Sequence, residues 1–227
     1  MGKNKLTIIS GITLTDSISK IEGMVLRAAV SELNSRIPRV VNDIRNDISY
    51  KLKKVFINAP EYESLITGDL SQHFGLTSSE ATSKLDTIIN KLADDIEVSF
   101  TKFSVRGGGI SGGIKISIID ASLKDILSLS DGDVLTDKGQ NLPWLEWLLI
   151  EGDKIIIRDY EIKFGSFANS RAGGAIMSMS SGGIWRVPPQ FSGTINDNWI
   201  TRAIDNASAY LENLINAAVR YNIEKVI

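Results

Sequence analysis

The order of elements along the chain predicts an α+β fold: an antiparallel sheet packed with amphipathic helices, with a long helix at the N-terminal end and another at the C-terminal end. Three observations carry it. Apolar residues recur at steps of three or four through residues 16–56, strand-like alternation occupies much of residues 97–187, and helical periodicity returns from about Asn196. The chain has 227 residues with 43% hydrophobic content, ample for a packed core. It divides into an N-terminal helical segment, 1–60, and an α+β core domain, 61–227.

The first helix is written by Ile18, Ile21, Val25, Ala29, Leu33, Ile37, Val41, Ile44, Ile48 and Leu52, with charged residues between them. Pro38 lacks an N–H and crowds the preceding turn, so a kink or break is expected near Ile37. Asn58-Ala59-Pro60 should end the segment, because the residue before proline avoids helical angles. Residues 60–76 read as a connection with a short helical turn around Leu65, Ile66, Leu70 and Phe74. Thr77 and Glu80 then form a capping-box signature ahead of Leu85, Ile88, Ile89, Leu92 and Ile96, predicting a second amphipathic helix.

A strand is expected from Glu97 to Arg106. Val98 and Phe100 lie in one phase and Phe103 and Val105 in the other, which calls for a bulge near Thr101 or Lys102. Ile114, Ile116 and Ile118 mark its partner, and Gly107–Gly113 reads as a loose hairpin tip. Leu123–Leu129 suggests a short helix and Asp131-Gly132-Asp133 a turn. Asn141 could cap a helix with Pro143 in its first position, Trp144, Trp147 and Leu148 on one face and its end near Gly152. Lys154–Phe164 is the strongest strand pattern, with Ile155–Ile157 expected to be buried on both faces. Ile176–Met179 and Gly183–Val187 read as two shorter strands around a Ser/Gly turn. The final helix runs on through Ile200, Ala203, Leu211, Leu214 and Ala218.

Chemistry is sparsely represented. There is no cysteine and a single histidine, His73, which removes thiolate metal sites, disulfides and Cys-His pairs. The glycine loop fails as a phosphate cradle, since Gly113 is followed by Ile114 and a strand where a Walker loop needs lysine, a hydroxyl residue and a helix. Asp131, Asp133 and Asp137 fall short of a calcium loop, with Leu135 standing where an oxygen ligand belongs, and read as a solvated acidic turn. His73 has no serine-base-acid pattern around it and is expected to cap or pack. A carboxylate-only Mg or Ca site stays open, as does a hydrolase working with carboxylates alone at Asp131, Asp133 or Asp159, but the favoured reading has no catalytic residue, no cofactor and no metal. The opening residues Met1–Ser10 hold too short an apolar run for a signal peptide, and no stretch is long enough to span a membrane, so synthesis in the cytoplasm is expected.

A net charge of −2 argues against a general nucleic-acid binder. Residues 1–60 nevertheless carry 10 basic and 5 acidic side chains, against 15 and 22 in the remainder, which suits head-to-tail contact between copies. It also keeps open a second reading, a non-catalytic nucleic-acid-binding module using Lys51, Lys53 and Lys54. The candidate interface residues are Arg171, Arg186, Trp185, Trp199, Gly108 and Gly109. Arg171 could fork onto a carboxylate of a neighbour or a DNA phosphate, the tryptophans could anchor core and interface, and the glycines could order against another subunit.

Leu142-Pro143-Trp144-Leu145-Glu146-Trp147-Leu148-Leu149, Ser170-Arg171-Ala172-Gly173, Ile176-Met177, Trp185-Arg186-Val187-Pro188, Phe191-Ser192-Gly193-Thr194 and Asn196-Asp197-Asn198-Trp199-Ile200 together resemble virion neck and tail-completion proteins of tailed bacteriophages. The resemblance implies a structural virion protein that forms a homo-oligomeric ring between the portal-connector complex and the tail. It would contact other neck, tail and connector proteins, and genome DNA would pass its lumen without sequence-specific binding. It implies no enzymatic activity.

Overall fold

The computed structural model describes residues 16–117, 123–136 and 139–224. Within these the architecture is α+β, as the sequence predicts, but its strands form three separate two-stranded antiparallel sheets rather than one. Met1–Ser10, Ile118 and Asp137, which carry some of the sequence expectations, lie outside the described residues.

Helix α1, Ile18–Ile57, is a single helix of 40 residues, about 60 Å along its path. It continues through Pro38, so of the two expected outcomes, kink or break, the break does not occur. Ile37, Val40, Val41, Ile44, Ile48, Leu52 and Phe56 form one continuous buried stripe, and their packing outweighs the hydrogen bond that proline cannot make. Every fully buried residue of α1 lies at or beyond Ile37; the first half is only partly covered. Asn58 caps the helix at its C-terminal end.

The expected connection is two helices, α2 (Pro60–Thr67) and α3 (Asp69–Phe74), joined at Gly68. A Cβ on Gly68 would press against the backbone of Ser64, so the two short helices meet at a corner only glycine fits. Helix α4, Ser78–Asp94, starts with the reciprocal Thr77–Glu80 capping box and buries Leu85, Ile88, Ile89 and Leu92.

Strands β1 (Glu97–Arg106) and β2 (Gly109–Ser117) form a hairpin lying along α1. The bulge is where the phase change places it: Thr101 pairs with Gly113 and Ser104 with Ser111, so Lys102 and Phe103 oppose Gly112 alone. Phe103 turns its peptide to α1, where Asn34 accepts from its N–H and donates to its carbonyl, both at 2.9 Å. A Cβ on Gly112 would collide with the Phe103 ring. The tip is tighter than expected. Gly107 and Gly108, at φ 56° and 79°, make the two-residue turn, and Gly109–Gly113 already belong to the ladder.

Helix α5 (Leu123–Leu127), a 3₁₀ turn at Ser130–Gly132 and the two-residue strands β3 (Val134–Leu135) and β4 (Asn141–Leu142) lead to α6, Trp144–Leu149. Asn141 is therefore in a strand and does not cap; Pro143 takes the cap position, and α6 ends before Gly152. Strand β5 is shorter than expected, Ile157–Phe164, and pairs with one strand, β6, Ala175–Trp185, in place of two. The Ser/Gly turn survives as an excursion within β6. Asp159 stands alone opposite Ser180–Gly183, at a left-handed φ of 60°, and its carboxylate accepts from the Gly182 N–H at 3.1 Å. Ile155 is exposed and Ile156 and Ile157 only half-buried, because a two-stranded sheet has no second layer to cover both faces.

Helix α7, Trp199–Glu224, starts three residues later than expected. Asn198, fully buried, accepts from the Ile200 and Thr201 amides at 3.0 and 3.2 Å and acts as its N-cap. Helices α1, α4 and α7 and the β1–β2 hairpin enclose one continuous core, extended by rings from α3, α6 and β6.

Candidate functional site

Two concave regions organise the polar side chains. The first, about 380 Å³, lies between α3, α6 and the β5–β6 hairpin. Its aromatic wall joins Phe74 to Trp185 at 6.2 Å and Trp147 to Trp185 at 5.3 Å, both edge-on. His73 stands in this wall, with Phe164 edge-on at 5.7 Å and the Trp185 indole N–H donating to its Nδ1 at 3.0 Å. Burial lowers the His73 pKa, and the carboxylate of Asp69 pulls weakly the other way.

The loop after β5 closes the rim. Gln72 clamps it, accepting from the Gly174 N–H at 2.8 Å and donating to the Ala172 carbonyl at 3.4 Å. Arg171 reaches back into its own chain, with Nη2 on Glu80 Oε1 at 2.6 Å and Nη1 on the Leu135 carbonyl at 3.0 Å. Glu80 thereby serves two partners, because its other oxygen closes the α4 capping box with Thr77. Burial would raise the Glu80 pKa, but the Thr77 bonds and the Arg171 charge outweigh it and hold the carboxyl below its ordinary value.

The second region is a groove of about 600 Å³ where the end of α1 and the start of α2 meet α7. At its edge Arg202 spends all five N–H donors. Nε and Nη2 both reach Glu61 Oε1, at 3.2 and 2.9 Å; the remaining contacts are to Asp197 and to the carbonyls of Ser192 and Phe191. Glu61 has only 4% of its side chain exposed and Arg202 29%, so a buried carboxylate is met by a partly exposed guanidinium, and the pair ties α2 to α7.

The six candidate interface residues do not assemble into one patch. Trp185 is 3% exposed and lines the aromatic cavity, and Trp199 is fully buried with its ring edge-on to Phe56 at 6.3 Å, so both are core residues and offer no surface to a partner. Arg171 shares the cavity with Trp185, and its guanidinium is already bound within the chain. Arg186 is exposed just beyond β6; Gly108 is exposed at the tip of the β1–β2 turn, and Gly109 is half-buried in the ladder. Among the described residues no group of three or more His, Asp or Glu is placed to hold a metal ion, and no helix is long and apolar enough to cross a membrane.

Comparison of the chain with protein families, curated proteins and solved structures finds no match.

Exposed apolar side chains are found on many elements, the first half of α1 and the β5–β6 hairpin among them. On α1, Ile18 is 72% and Val25 62% exposed, and Ile18, Ile21, Val25 and Ala28 follow a 3-4-3 spacing that aligns them on one side of the helix. On the β5–β6 hairpin the ladder puts Tyr160, Ile162 and Phe164 on the same face as Met177 and Met179. Part of that face covers the aromatic cavity; Met179, 75% exposed, and Phe164 extend beyond it. Sequence reasoning missed the Glu61–Arg202 pair and the Asn34 clamp. Only the position of Glu61 in the first turn after Pro60 was visible, and that reads equally well as a surface charge favouring a helix start.

Proposed function

We propose that this protein is a structural virion subunit of a tailed bacteriophage, a ring-forming neck or tail-completion component that joins the portal-connector end of the head to the tail. The observation that carries the reading is the outward apolar stripe of α1, Ile18, Ile21, Val25 and Ala28, on the half of the helix that the core leaves uncovered. An exposed apolar stripe at this spacing costs free energy in water and is a surface for contact with another chain. The resemblance of residues 142–200 to neck and tail-completion proteins supports the same reading, and so does the bulk of the polar chemistry, which ties the chain to itself through Glu61–Arg202, Glu80–Arg171 and Asn34–Phe103.

In this reading neighbours meet by heterologous contacts that repeat until the rotation closes a ring. The subunit is a component of the virion, performs no catalysis, and leaves a lumen through which the genome passes without sequence-specific contact. Native mass spectrometry of the purified protein, and electron microscopy of particles that contain it, test the proposal. A cyclic assembly at the head-tail junction supports it, and a strict monomer absent from virions counts against it.

A further inference from the structure

The indole N–H of tryptophan can only donate, so a 3.0 Å bond from Trp185 Nε1 to His73 Nδ1 requires a lone pair on that nitrogen. His73 is therefore neutral in this arrangement, with its proton on Nε2. Protonation would place two N–H groups head to head at that distance, and the bond could not survive.

The position of the ring makes this consequential. His73 and its neighbour Gln72 sit side by side on α3, and together they hold the β5–β6 hairpin: Gln72 by two bonds to the loop backbone, His73 by one to the last residue of β6. We propose that His73 is a proton-operated latch: neutral, it helps keep the β5–β6 hairpin docked on α3, and protonated, it lets go of Trp185 and loosens that docking. The inference stands whatever the chain assembles with.

The surroundings favour a switch over a permanently charged site. The groups that β5 and β6 turn to the ring, Phe164 and Trp185, are uncharged, as is Trp147 of α6 in the same cavity. On α3 itself, Asp69 is one turn earlier and draws the proton in; from the loop, Arg171 lines the cavity with its charge met by Glu80. Burial dominates and lowers the pKa of the docked form below the ordinary 6.5. The sign follows. Docking is fully favoured above that ordinary value, and the advantage is lost as pH falls from there through the docked-state value, with the undocked population rising about tenfold per pH unit inside the window.

The test uses the wild-type chain, whose single histidine gives a single set of imidazole signals. Histidine-selective ¹⁵N NMR should find an unprotonated Nδ1 with the proton on Nε2 near pH 7.5, and a titration midpoint below 6.5. Hydrogen exchange, corrected for the intrinsic effect of pH, should show the Gly165 and Gly174 amides losing protection as pH falls from 7 to 5 while α4 amides hold theirs. In His73→Gln, which retains an acceptor that does not titrate, hairpin protection should be flat over that range. An Nδ1–H tautomer, a midpoint at or above 6.5, or wild-type hairpin protection indifferent to pH would overturn the latch. So would the same pH dependence in His73→Gln. The tautomer and midpoint come from the unmodified chain, so a poorly folding variant does not leave the question open.

Discussion

Replacing Arg202 with methionine keeps much of the volume and the apolar stem of the side chain and removes its five donors. Glu61 Oε1 then loses both of its bonds to the guanidinium at a site only 4% exposed in the wild-type chain, and the Ser192 and Phe191 carbonyls lose theirs. Breaking one side of a buried ion pair costs about 3–5 kcal/mol, most of it from the stranded charge. The Asp197 contact adds little, since that carboxylate is exposed and well solvated. At roughly 2–4 °C per kcal/mol for a chain of this size, the melting temperature should fall by about 6–20 °C. Urea unfolding followed by circular dichroism measures the loss directly. The double variant Glu61→Leu with Arg202→Met removes the stranded charge as well and should regain more than half of the deficit. A loss below about 1 kcal/mol for Arg202→Met, or a double variant no better than the single one, would refute the claim that this pair pins α2 to α7.

Further outcomes follow from the same geometry. Pro38 brings no N–H to the carbonyl of Asn34 four residues earlier, so Pro38→Ala should restore one helical bond and stabilise the chain by about 1–2 kcal/mol after the looser unfolded state is counted, measurable in the same urea titration. Asn34→Ala strips both polar groups of the Phe103 peptide of their partner and should cost about 1–3 kcal/mol, with hydrogen exchange rising first at the β1–β2 bulge. Glu80 has a folded-state pKa below its ordinary 4.5, so its contribution is fully present above that value and is lost as pH falls through the folded one. Arg171→Met should therefore flatten the stability-pH curve in the acid range.

Local signals carried most of the secondary structure. Thr77 and Glu80 announced the start of α4 because a capping box involves residues three apart, and the phase change between Phe100 and Phe103 announced the bulge for the same reason of proximity. The misreadings arose where distant packing decided. Pro38 does not break α1, because the stripe that starts at Ile37 and runs on through Phe56 packs into a single core. Ile155–Ile157 resembles a central strand in composition, yet with one partner strand it has little to be buried against. The excursion at Ser180–Gly183 looked like a turn between strands, since nothing in the sequence says that the ladder resumes on the same partner, at Ile184 opposite Arg158.

The candidate site was legible only in its ingredients. Arg171 stands out in the sequence as a guanidinium for a neighbour's carboxylate or a DNA phosphate, whereas the carboxylate it meets is Glu80, ninety-one positions away in the same chain. Trp185 and Trp199 stood out as large apolar side chains, and a tryptophan on a surface is indistinguishable in sequence from one in a core. Glu61 and Arg202 are separated by 141 positions, and only the burial of Glu61 distinguishes the pair from ordinary surface charges.

Assembly is the claim on which the functional account turns, and native mass spectrometry of the full chain at micromolar concentration, paired with a Val25→Lys variant, tests it most directly. A closed oligomer of defined stoichiometry for the wild type, shifted to monomer by a charge in the exposed α1 stripe, is the expected result. A wild-type chain that stays monomeric in solution and is missing from purified particles would contradict it.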